Sequence, residues 1–336
     1  MQRHPTHRVQ DSTKIQSFMK CPRMYFFEYV LGWRPDEPNI HFVFGSAWHE
    51  VMEHFAIHGM APEQIEAAFS KFEEIYRTSF SPFLDDQNGA KTPANALRAL
   101  VMYAKKYARD AEEFQVLETE VAGSVLVDHY QLFFKIDTII QDKQTGRINS
   151  LEHKTTSSFS PMWLNQWRQK FQVGAYAYAL RCLYEPDAVD SIIINGACIR
   201  PEPAIKQNGE PRANARDTEF TRVPIRMSSG KVRDWITQAT YWLEYIDGEF
   251  QALEACDEDE PVLHAFPKNT ESCVNYGKPC PFLDFCVAKP NPLQYGDAMP
   301  VGMRREFWDP RSQQETANKV FNQERKQEDG QPEPAA

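Results

Sequence analysis

The amino-acid pattern predicts a mixed chain of α+β or α/β class with a helical front. Apolar residues recur at helical spacing through much of 12–114, the period falls to two between 116 and 153, and helix and strand patterns then alternate to residue 254. With 336 residues, 42% hydrophobic and 25% charged, the composition excludes a wholly disordered or collagen-like chain. No run reaches the roughly 18–20 apolar residues that a membrane span needs. The opening MQRHPTHRVQDSTKIQ has no apolar signal core, so a cytoplasmic protein is expected.

Taken in order, Ser12 to Trp33 reads as a helix re-angled at Cys21-Pro22, with Ser12 as N-cap and Pro35 and Pro38 beyond its end. Val43, Ala47, Val51, Met52 and Phe55 place a second helix over 42–58. Pro62 opens a third that runs to Thr78, and a loop with Pro82 and Pro93 leads to a fourth over 94–114. Segments 116–127, 131–141 and 148–153, with a turn at Asp128-His129, read as an antiparallel meander. Helix returns over 160–184, a buried strand covers 191–199, a Pro/Asn/Arg-rich loop covers 201–218, and a long helix spans 229–254. The polar end, 309–336, is expected to be helical at first and then disordered.

The net charge of −10 is unevenly placed. Residues 235–336 hold 9 basic and 18 acidic groups, so the rest of the chain is close to neutral, and 160–234 carries 11 basic against 8 acidic. The total therefore does not exclude a polyanionic partner, although ordinary surface charge explains it equally.

Chemistry concentrates in FFKIDTIIQDKQTGRINSLEHKTTSS. Asp137 lies on one apolar strand and Glu152 on the next, and Lys154 shares a strand face with Glu152. Two carboxylates and a lysine brought together are costly unless a cation joins them, and oxygen ligands suit Mg²⁺ or Mn²⁺. Taken alone, the set also fits a charged hairpin face. Gln172 and Tyr176 fall at i and i+4 on one helix, and His49 follows Gly45, whose missing side chain would allow close approach. Glu118 and Glu120 start the first strand, within reach of the metal or simply solvated. His49-Glu50 does not continue as a zincin HExxH, and His41, His54 and His58 read as core or surface residues. Trp163, Trp167, Phe171, Tyr176 and Tyr178 at helical spacing should be mostly core, with base stacking as the alternative.

Glycine, His49, Asp137, Glu152-x-Lys154 and Gln172-x3-Tyr176, in that order, resemble the RecB-type branch of the PD-(D/E)XK nucleases. The opening Ser12, Ile15, Phe18, Cys21-Pro22, Tyr25, Phe26 and Tyr29 is similar to the same branch. The resemblance implies a restriction-endonuclease-like core, a central mixed sheet flanked by helices, in one domain over 1–308. It also implies divalent-metal-dependent DNA cleavage, more an exonuclease, in recombination, repair or phage DNA metabolism. Residue by residue it makes His49, Asp137 and Glu152 metal ligands with the carbonyl of His153, Lys154 the catalytic lysine, and Gln172 with Tyr176 the positions nearest DNA. Phe134 stands where the branch often has glycine. Arg168, Lys170 and Arg181 are candidates for tracking the backbone. A non-catalytic DNA-end or protein-binding module of the same fold is the competing class.

Seven cysteines without a secretion signal argue against a disulfide framework. Cys182 and Cys198 lie in apolar runs, where buried thiols are expected, and Cys256 begins an acidic run. The resemblance implies that Cys21 with Cys273, Cys280 and Cys286 holds a [4Fe–4S] cluster, which would clasp 12–34 to 265–290. Zn²⁺ at the same four thiolates, in a zinc-stapled interaction protein, remains open.

Overall fold

Gln10–Asp11 (β1) leads into α1, Ser12–Lys20, in the computed structural model, which describes residues 4–203, 216–275, 277–295 and 298–324. The cap is Asp11 rather than Ser12: its carboxylate accepts the Lys14 N–H at 2.8 Å, a contact worth about 1 kcal/mol. Pro22 restarts the helix as α2 (Pro22–Tyr25), and a wide π turn follows over Phe26–Val30. The helix stops there, before the prolines, because Trp33–Pro35 (β2) pairs with a distant strand near the C-terminus.

Helices α3 (Ile40–His58), α4 (Pro62–Arg77) and α5 (Pro93–Lys106) match the periodicity, except that α5 ends early and a separate turn, α6 (Asp110–Glu113), follows. The meander is present as β3 (Phe114–Val127), β4 (Tyr130–Asp142) and β5 (Ile148–Thr156). The helix expected over 160–184 is broken at Lys170 into α7 (Pro161–Gln166) and α8 (Phe171–Leu183). Strand β6 (Val189–Cys198) is followed by β7 (Glu219–Arg226), and the long helix α9 spans Ser229–Glu254. Of the loop expected over 201–218, residues 204–215 lie outside the described residues. A small hairpin, β8 (Val274–Asn275) with β9 (Lys278–Pro279), precedes α10 (Leu283–Ala288). Then β10 (Met303–Arg305) reaches β2.

The expected disordered tail is corrected in part: Lys319–Asn322 (β11) pairs in parallel with β3. What docks it is Gly123, where an added Cβ would stand 1.6 Å from the Phe321 carbonyl oxygen. Gly123→Ala is therefore expected to push β11 off the sheet edge, read as faster amide exchange at Lys319–Asn322. Phe134, at the position where the nuclease branch often has glycine, is buried and pairs with that same Gly123.

The main sheet is mixed, in the order β11-β3-β4-β5-β6-β7, with β1 alongside β4. One hydrophobic core joins α1, α8 and α9 to the sheet, and a second joins α3, α4 and α5 to Ala197 and Phe220. This is the restriction-endonuclease-like architecture expected, a central mixed sheet flanked by helices. No helix among the described residues is long and apolar enough to cross a membrane.

Candidate active site

Strands β4 and β5 are paired only over Thr138–Gln141 and Leu151–Ile148. Past that point β5 leaves β4 and continues along β6, while β1 takes the vacated edge at Leu132 and Phe133. Asp137 and Glu152 are the first residues beyond the fork, one on each strand. In place of a ladder bond, the His153 N–H donates to Asp137 Oδ2 at 2.9 Å. A sheet that splits leaves backbone groups without ladder partners, and here a carboxylate satisfies one of them.

His49, from the middle of α3, puts Nδ1 3.3 Å from Asp137 Oδ1. Glu152 Oε1 receives Lys154 Nζ and, at 3.1 Å, the Gln172 amide, whose nitrogen also donates to Tyr176 Oη at 2.9 Å. All six side chains line one cleft of about 740 Å³. Gly45 lines it too, but a Cβ there would meet nothing within 4 Å, so its role is to widen the cleft rather than to admit close packing.

Gln172 and Tyr176 thus orient Glu152 as well as face the cleft, and Tyr176 is buried. Gln172→Ala is expected to slow DNA cleavage by roughly tenfold, the worth of one hydrogen bond to a charged group, and Tyr176→Phe, which loses only the neutral bond to Gln172, by less. Divalent-ion affinity, followed by calorimetry, should change less than cleavage.

The pair is electrostatically loaded. Burial raises the Asp137 pKa, but His49 beside it, with His153 and Lys154, brings the net well below the carboxylate range. Glu152 is pushed up to about 7 by burial and by Asp137, against the pull of Lys154 and His49. Burial lowers the His49 imidazole, yet Asp137 more than offsets this and leaves it raised. His153 is driven down to about 3 by burial and stays neutral; its Nδ1 lies 2.9 Å from the Asn195 amide.

Among the described residues, no three His, Cys, Asp or Glu side chains stand in a ready-made metal-holding arrangement. The donor chemistry nevertheless fits a hard dication. Glu152 Oε2 is buried with no hydrogen-bond partner among the described residues, next to a second buried carboxylate, and oxygen donors of this kind suit Mg²⁺ or Mn²⁺.

A pH dependence follows for the metal-free protein. Because the native pKa of Glu152 is raised, its contribution favours folding at low pH and is lost as pH rises through about 7. Glu152→Gln should therefore be more stable than wild type at pH 8, by about 1–3 kcal/mol, with the gap closing toward pH 4.5. Urea unfolding across that range checks the sign.

Several cleft residues were not legible in the sequence. Trp308, Ser312 and Thr316 form one wall, the last two in the stretch expected to be a polar tail, and Trp308 Nε1 donates to Asp11 at 2.7 Å. Glu120 also lines the cleft, paired with Lys135 at 2.5 Å, whereas Glu118 pairs with Lys319 outside it. Of the candidate backbone-tracking cations, Lys170 is close enough to Lys154 for their charges to interact, and Arg168 is exposed. Arg181 is committed to the Met227 carbonyl at 2.6 Å. Trp167, Phe171 and Tyr176 are core, as expected.

Cys21, Cys273, Cys280 and Cys286 line a single small cavity. The Cys280 and Cys286 thiols are raised by burial, and the nearness of Cys21 and Cys273 adds to it. Cys182 and Cys256 are half-buried and Cys198 is fully buried, all three outside that cavity. Arg23, 3% exposed, rivets the same junction independently, donating to the carbonyls of Phe266 (2.9 Å), Pro290 (3.1 Å), Leu263 (3.1 Å) and Ala265 (3.3 Å).

A search of the curated proteins finds no match. Among solved structures, the chain is similar to one titled "Crystal structure of SSO0001", at 12% identity over 68% of this chain and 74% of that one, with a TM-score of 0.28. Residues 12–286 match the family model described as the PD-(D/E)XK nuclease superfamily, a span that includes the sheet fork, Asp137, Glu152 and Lys154. With most of its length in that match, the chain belongs to the PD-(D/E)XK nuclease superfamily.

Proposed function

We propose that this protein is a Mg²⁺- or Mn²⁺-dependent DNA nuclease of the RecB-type branch, an exonuclease of recombination, repair or phage DNA metabolism acting in the cytoplasm. The observation that carries the reading is the sheet fork, where two buried carboxylates meet Lys154 and one carboxylate oxygen is left without a partner among the described residues. His49, Asp137 and Glu152 would hold the ion, with the carbonyl of His153. When bound, such an ion polarises a phosphate and lowers the pKa of water.

The chain's own groups do the rest. Gln172 and Tyr176 hold Glu152 in place, and the exposed end of the cleft admits the DNA backbone. Lys154, charged at neutral pH because Glu152 and Asp137 outweigh its burial, stabilises negative charge developing on the phosphoryl oxygens. Cys21, Cys273, Cys280 and Cys286 would carry a [4Fe–4S] cluster, with Zn²⁺ the alternative, clasping 12–34 to 265–290. We also take 1–308 as one nuclease domain, to which the strand at 319–322 adds an edge.

Digestion of end-labelled linear and circular DNA, single- and double-stranded, with Mg²⁺ or Mn²⁺ tests the reading. Release of label from linear but not circular DNA is expected. Cleavage of circles makes the enzyme an endonuclease, and no cleavage of any substrate favours a binding module of the same fold.

A further inference from the structure

Lys91 belongs to none of the motifs above, yet it is a nearly buried ammonium, 8% exposed, in the loop before α5. Its backbone is held from both sides: the carbonyl accepts from Tyr76 Oη at 2.9 Å and the N–H donates to Asn88 at 3.1 Å. The ammonium lies 5.3 Å from the centre of the Phe44 ring and donates to Thr155 Oγ1 at 3.2 Å. Among the described residues no carboxylate pairs with it, and burial alone lowers its pKa to about 8. A buried cation without a counter-ion is expensive, and it persists where a ligand supplies the missing charge.

Thr155 shows where that ligand would sit. It directly follows Lys154 on β5 and lines the cleft that holds Asp137 and Glu152. Because Lys91 donates to Oγ1, the Thr155 hydroxyl proton is free to be donated in turn. His41, at the start of α3, lines the same cleft and feels both Lys91 and Lys278, the latter from the hairpin beside the four cysteines. His41 in the cleft wall, with Lys91 and Lys278 close enough to act on its charge, therefore sets basic groups beside a cleft whose floor is acidic.

We propose that Thr155, backed by Lys91 and flanked by His41, is a phosphate-binding subsite that grips a DNA linkage next to the scissile one. The Thr155 O–H donates to a non-bridging phosphate oxygen, and Lys91 acts through Thr155 as a positioning residue that supplies the charge. The subsite rests on the nuclease reading above and adds to it a second point of hold on the backbone, which sets the register of the cut.

The test uses the full chain and oligonucleotides carrying one neutral methylphosphonate, moved along the strand. Wild type is expected to lose roughly 10- to 100-fold in cleavage at one non-scissile linkage, the worth of a charge-assisted hydrogen bond. Lys91→Met and Thr155→Val should lose a similar factor on native DNA and show no further loss at that linkage, while Thr155→Ser retains wild-type behaviour. Lys91→Met should melt at or above the wild-type temperature, since it removes an unpaired buried charge. Penalties that simply multiply in the variants overturn the subsite, and so does a Lys91→Met protein that melts lower with its linkage sensitivity intact. Should Lys91→Met fail to fold, Thr155→Val carries the same comparison. A wild type that cleaves DNA with no sensitive neighbouring linkage refutes the subsite alone, whereas one that cleaves no DNA refutes the nuclease reading with it.

Discussion

Folded Glu152→Ala protein is expected to cleave DNA at least about 10³-fold more slowly than wild type, and Asp137→Ala and Lys154→Ala should do the same. The three losses have different origins, which calorimetry separates. Asp137→Ala and Glu152→Ala each delete a proposed ligand, so Mn²⁺ binding should fall with activity. Lys154→Ala leaves both carboxylates, so Mn²⁺ binding should survive while cleavage does not. It also removes the ammonium from Glu152 Oε1, leaving that carboxylate more in need of a cation. Wild-type turnover by folded Glu152→Ala protein would place the chemistry elsewhere.

The second large effect concerns the four cysteines. Cys21→Ser, Cys273→Ser, Cys280→Ser and Cys286→Ser should each remove the metal and lower stability by about 3–5 kcal/mol, because the bound group closes a very long loop. Arg23 bonds the same two segments without any metal, so these variants should remain folded at low temperature. Cys182→Ser, Cys198→Ser and Cys256→Ser should leave metal content unchanged. Anaerobically purified wild type is expected to be brown, with about four iron and four sulfide per chain. Colourless protein with one zinc keeps the clasp and rejects the cluster; metal-free protein with four titratable thiols rejects both.

Much of the fold is legible in the local chemistry of the chain. Periodicity places α3, α4, α9 and the β3–β4–β5 meander within a few residues, since each has an uninterrupted apolar pattern and a clear stop. Where a neighbour distant in sequence decides the outcome, local pattern misleads. The helix after Cys21 ends at Val30 because Trp33–Pro35 has a partner strand at Met303–Arg305. Residues 319–322, a short Lys-Val-Phe-Asn segment within a polar end and too brief to show alternation, become a strand because Gly123 leaves room for a backbone beside it.

The same division holds at the site. Asp137, Glu152, Lys154, His49, Gln172 and Tyr176 are legible because they carry chemistry that is costly without a purpose, at spacings that helices and strands convert into shared faces. One cleft gathers all six. The sheet fork itself is not legible, since it depends on β5 exchanging β4 for β6 and on β1 filling the gap, pairings between segments far apart in sequence. Lys91 and the Trp308 wall are hidden for the same reason. A lysine in a loop and a tryptophan near a polar tail look ordinary until tertiary packing buries the one with no counter-ion among the described residues and sets the other against Asp11. The chain's own residues thus determined which groups could do the chemistry, through intrinsic charge and short-range geometry. Only the tertiary structure decided what surrounds them, because burial and long-range pairing are properties of the folded whole.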